Sequence, residues 1–122
     1  MTTNYDNELA KKLNVKSGVQ VRVIDIPSDV DLNGLATTDL ESAGAVLLFV
    51  RTQAEADVRS APVVAAANGG KIAWMAYPKA RQLGTDLNRD ILWKLMKEKG
   101  IEANRQISID DVWSAMRFRA RG

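Results

Sequence analysis

The run from Gly69 to Lys79, Gly-Gly-Lys-Ile-Ala-Trp-Met-Ala-Tyr-Pro-Lys, constrains the fold more than any other part of the chain. Two glycines make a turn, Ile72 to Tyr77 is apolar throughout, and Pro78 ends the run just before the cations Lys79 and Arg81. Side chains alternate between the two faces of a strand, so a strand that is apolar at every position is covered on both faces. Such strands belong to α/β sheets, in which ligands sit at the carboxyl ends of the strands.

Other segments supply neighbours for this strand. Val19 to Ile26 is rich in β-branched residues and ends at Pro27, and Ala45 to Val50 is a second fully apolar run. Ala103 to Ile109 reads as a fourth strand. Val112 to Arg119 alternates in a way that favours a strand forming a hairpin with it across Asp110-Asp111, although a helix is also compatible. Helices are expected over 7–13, from about Gln53 behind the capping box Thr52-Gln53-Ala54-Glu55, and from Asp86 to Lys99. The last carries the stripe Leu87, Ile91, Leu92, Leu95 and Met96, is capped by Thr85 or Asp86, and stops at Gly100. Pro62 either breaks the second helix near Ser60 or kinks it. Ser28 to Gly44 is expected to hold one short helix and a loop. The fold class is therefore α/β: one domain over 1–122, a three-layer sandwich around a central, mostly parallel sheet of about five strands, with the last strand antiparallel.

Composition narrows the chemistry. Among 122 residues there is no cysteine and no histidine, which excludes disulfides, thiolate catalysis and the usual Cys or His dyads and zinc sites. The formal charge of +2 is far from that of a dedicated DNA-binding module, although Arg117, Arg119 and Arg121 crowd the end of the chain. Met1 to Asn7 is polar and no apolar run reaches the length of a membrane span, so a cytoplasmic protein without a membrane partner is expected.

Several segments resemble an uncharacterised family of small bacterial proteins, a domain of unknown function. They are Lys11-Lys12-Leu13, Leu47-Leu48-Phe49-Val50, Trp74-Met75-Ala76-Tyr77-Pro78-Lys79, Thr85-Asp86-Leu87, Gly100-Ile101 and Asp111-Val112-Trp113-Ser114-Ala115-Met116-Arg117-Phe118. The Trp-x-x-Tyr-Pro-Lys and Trp-Ser-x-x-Arg-Phe motifs are the specific ones, and the resemblance implies no activity. The order of elements is more weakly similar to a truncated methyltransferase-like Rossmann domain. Against that pattern, the loop after the first strand is Pro27-Ser28-Asp29 rather than glycine-rich, and Arg51 stands where an acid would hold ribose hydroxyls. No cofactor is therefore expected.

The expected site lies at the strand carboxyl ends, where Ser28 and Asp29, Arg51 and Thr52, and Lys79 and Arg81 follow successive strands. Thr52 and Thr85 are placed at helix N-termini, whose amides favour anions. Lys79, Arg81, Arg51, Ser28 and Thr85 are thus the candidates for binding an anionic small molecule. The bland alternative is solvated lysine and arginine, with Arg51 paired to Asp29 or Asp86. Trp74, Trp93 and Trp113 could stack on bases, but Trp74 and Trp93 read as core or core edge. The pairs Asp110-Asp111 and Asp86–Asp90 fit turns and caps better than catalysis. The expected role is a non-catalytic binding or accessory module with an anion-binding edge. The alternatives are a small enzyme acting on a phosphorylated or carboxylated metabolite through Lys79, and weak nucleic-acid contact through the C-terminal arginines. Monomer and homodimer both remain open.

Overall fold

The structure, a computed structural model, describes residues 8–15, 18–32 and 34–121. The expected helix start at Asn7 and the Ser17 of the first chain break lie outside these residues. The order is α1 (Glu8–Lys12), β1 (Val21–Ile24), β2 (Thr37–Thr38), β3 (Ala45–Phe49), α2 (Gln53–Arg59), α3 (Ala61–Asn68), β4 (Ile72–Pro78), α4 (Arg89–Glu98), β5 (Ile101–Ser108) and β6 (Trp113–Ala120), with a 3-10 turn at Gln82–Gly84. All six strands form one sheet in the order β2-β1-β3-β4-β6-β5. Pairing is parallel from β2 to β4, and β6 runs antiparallel to both β4 and β5. The fold is mixed α/β, with four α-helices among the described residues around a mostly parallel sheet.

Strands β3 and β4 lie at the centre, and their uninterrupted apolar sequences divide between two cores. Val46, Leu48, Ala73, Met75 and Tyr77 face one side, where Ala56, Val63, Ala66, Leu92 and Met96 of α2, α3 and α4 cover them. Ala45, Leu47, Phe49, Trp74 and Ala76 face the other, under Leu9 and Ala10 of α1, Leu13, Val15 and Leu35. Three helices thus cover one face. The five-residue α1 and chain without regular structure cover the other. The buried Trp74 ties that cover to the sheet, its Nε1 donating to the Leu13 carbonyl at 2.9 Å.

The proline argument resolves to a break. Proline has no N–H to give and its ring collides with the carbonyl four residues back, so α2 ends at Arg59 and Pro62 falls in the first turn of α3, where no donor is needed. Val112 to Arg119 is the strand of the two alternatives, shifted to Trp113–Ala120. A β-bulge between Ala103 and Arg105 interrupts its register with β5.

Two expectations need correction. Segment 28–44 holds no helix among its described residues; it holds β2, a two-residue sixth strand that pairs with β1 through Thr37 and Thr38. Helix α4 begins at Arg89, not Asp86, because Asn88 is its cap: the Asn88 side chain accepts the Ile91 N–H at 2.9 Å. Thr85 and Asp86 are committed elsewhere. The Thr85 hydroxyl donates to the Arg51 carbonyl and accepts from the Leu87 N–H, while Asp86 accepts the Gln53 N–H at 2.8 Å and so caps α2 from outside that helix. Gly100 ends α4 at φ +91°, a conformation that an L side chain adopts only with strain.

Candidate functional site

The chain leaving β1 covers one face of the sheet with Val30, Leu32 and Leu35, whereas the chain leaving β3 runs into α2 on the other face. The sheet therefore has its switch point between β1 and β3, and a crevice of about 370 Å³ opens there. Asp25, Pro27, Phe49, Arg51, Glu55, Arg59 and Trp113 line it. Its two carboxylates are engaged by Arg59. Arg59 lies 3.5 Å from the Asp25 carboxylate and 4.0 Å from that of Glu55, and Glu55 closes the capping box by accepting the Arg51 N–H at 2.9 Å. The floor residues Phe49 and Trp113 pack edge to face, 5.1 Å between centroids, and both are buried. Of the expected anion ligands only Arg51 lines this crevice; Ser28 does not.

Lys79 stands apart from Arg51, in a depression of about 410 Å³ formed by the ends of β4, β5 and β6 and the start of α4. The two motifs of the sequence meet there. Tyr77 pairs with Ser114 and Pro78 with Trp113 across β4 and β6, and Ser108 of β5 pairs with Ser114. The lining side chains are Tyr77, Lys79, Asn88, Arg89, Asp90, Gln106 and Ser114. The Lys79 ammonium is held at 2.9 Å by the Ser108 hydroxyl, which in turn donates to the Asp110 carbonyl at 3.1 Å. Arg89 touches Asp90 at 3.3 Å, an exposed pair whose attraction is largely screened. Lys79 and Arg89 against Asp90 leave a local excess of one positive charge. The first amides of α4, Ile91 excepted, have no partner within the helix and add to it.

Tyr77 is the unusual member. Its side chain is 2% exposed, and its hydroxyl is the one buried side-chain polar atom without a hydrogen-bond partner among the described residues. Burial pushes the phenol up to about 12; Arg89 pulls against this and Asp90 adds to it, which puts both charges within electrostatic reach of the hydroxyl. An orphaned buried hydroxyl costs about 1–3 kcal/mol, so the fold carries an unused donor at this depression. Sequence reasoning found Lys79 but not Tyr77, Arg89, Gln106 or Ser114. Tyr77 sat in plain view at the end of the central run, but its lack of a partner shows only once β6 and α4 are in place.

The remaining candidates fall outside both sites. Arg81 is exposed at φ +68° in the turn after β4 and lines neither. Thr85 is bonded to the Arg51 carbonyl and does not cap the start of α4. Trp93 corrects the expectation of a core residue: it is 47% exposed, because the stripe Ile91, Leu92, Leu95 and Met96 already fills the buried face of α4. Arg119 pairs with Glu102 across β5 and β6 at 2.9 Å, a strand-edge ion pair. Asp110 accepts the Val112 and Trp113 N–H groups and shapes the hairpin turn. Among the described residues no three potential metal ligands cluster, and no helix is long and apolar enough to cross a membrane. Compared with known proteins, the chain matches no family model and no curated sequence.

Proposed function

We propose that the protein is a non-catalytic binding module that takes a small phosphate- or carboxylate-bearing molecule in the depression beside Lys79. The observation that carries this reading is the unpartnered Tyr77 hydroxyl, a buried donor beneath two cations and the start of a ten-residue helix. A donor left without an acceptor is costly to the fold and favourable to an anion that completes it. The hydroxyl is covered in this conformation, so contact with it requires a local rearrangement of the depression. On the same reading α1 together with Val30, Leu32 and Leu35 acts as a thin third layer, leaving the carboxyl edge of the sheet open. We further propose that the protein is a cytoplasmic member of the small bacterial family that the two motifs resemble, since both motifs contribute side chains to this depression.

Calorimetric titration with inorganic phosphate and with citrate tests the reading. A dissociation constant on the order of 1 mM or tighter is expected for at least one of them. Lys79→Ala should weaken it about tenfold or more through the loss of a charge-assisted contact. Equal affinity in wild type and Lys79→Ala would remove the depression from consideration.

A further inference from the structure

The depression does not end at Arg89. Arg89 and Gln106 also line a second hollow of about 290 Å³, which continues along the groove between α4 and strands β5 and β6 and is bounded by Trp93, Ala103 and Met116. The two hollows adjoin at Arg89 and Gln106 and differ in chemistry. At the strand ends the first is lined by Lys79, Arg89 and Tyr77, whose hydroxyl is covered; farther along, the second is lined by the Trp93 indole, Ala103, Met116 and the Arg105 side chain. Trp93 lies four residues after Arg89, so the two project from the same side of α4, separated by roughly 6 Å of helix rise. The fold does not need Trp93 for its core, and the large apolar side chain is left facing the groove.

We propose that the groove binds a mononucleotide, with the phosphate between Lys79 and Arg89 and the base stacked on Trp93. This rests on the anion reading above and deepens it. An anion site that shares Arg89 with a hollow carrying an exposed aromatic face matches a phosphate carried on a planar ring. Every base offers a π-face, so this stacking selects the class of ligand and not one base. The site is distinct from the switch-point crevice, where the loop after β1 lacks the glycines that would admit a dinucleotide.

The test compares inorganic phosphate, adenosine and adenosine 5′-monophosphate by calorimetry, together with indole fluorescence. Trp74 and Trp113 are buried, so quenching from the aqueous side reports Trp93. The nucleotide should bind about tenfold or more tighter than phosphate and quench the accessible emission. Trp93→Leu should abolish that advantage while phosphate affinity holds. A nucleotide no tighter than phosphate in the wild type overturns the inference and leaves the anion reading standing, as does an advantage that survives in Trp93→Leu. Failure of both phosphate and nucleotide to bind overturns both. A dimer in light scattering that Trp93→Leu converts to monomer would assign the indole to a self-interface and also overturn the inference.

Discussion

Tyr77→Phe separates what stabilises this fold from what its groove is for. The ring is buried among Met75, Leu92 and Met96, and phenylalanine retains it. Only the hydroxyl is lost, and it has no partner. Leaving such a group buried costs about 1–3 kcal/mol, so its removal should stabilise the protein by that order. For a chain of 122 residues the unfolding entropy makes 1 kcal/mol worth about 4 °C, and the melting temperature should rise by about 4–12 °C. Urea unfolding should show a higher midpoint at unchanged slope. In phosphate the order should narrow or reverse, because the wild type gains ligand stabilisation that the variant has partly lost. A variant less stable than wild type by 1 kcal/mol or more in phosphate-free buffer would refute the reasoning, since it would mean that the hydroxyl already has a partner.

Three further outcomes follow from the same geometry. The Tyr77 phenol is raised to about 12 in the folded state, so its titration leaves stability unchanged below about pH 10 and lowers it as pH rises to about 12; the decline is roughly 2–3 kcal/mol and should be absent in Tyr77→Phe, as alkaline urea titrations would show. Trp74→Phe removes the bond to the Leu13 carbonyl and leaves a void beneath α1, at a cost of roughly 2–4 kcal/mol by chemical denaturation, with α1 amides exchanging faster. Asn88→Ala uncaps α4 and should cost about 1 kcal/mol, read as a lower melting temperature, whereas Thr85→Ala should leave α4 exchange unchanged because Thr85 is not the cap.

The sequence made the centre of the sheet legible because β3 and β4 are buried on both faces and their composition declares it. The capping box at Thr52 and the glycine stop at Gly100 are local in cause and were equally readable, whereas Pro62 announced an interruption without deciding between break and kink. What stayed hidden depends on contacts distant in sequence. Thr85, Asp86 and Asn88 are all good caps, and the choice of Asn88 follows from Thr85 bonding to Arg51 and Asp86 bonding to Gln53, 34 and 33 residues away. Strand β2 has two residues and exists only because β1 offers an edge. Lys79 could be named from its place after a strand, but its neighbours come from the register of β4, β6 and β5 and from the start of α4. Trp93 looked like core because it borders the apolar stripe, and one helical step turns it outward.

The central claim, an anion bound beneath the start of α4, is tested most directly by amide shift mapping during titration with inorganic phosphate at fixed ionic strength. The account predicts saturating shifts confined to Lys79, Asn88 to Asp90, Gln106 and Ser114, with little change at Asp25, Arg51 or Arg59 around the switch-point crevice. The absence of shifts at Lys79 and Asn88 to Asp90 up to about 10 mM phosphate, or shifts centred instead on Arg51 and Arg59, would contradict it.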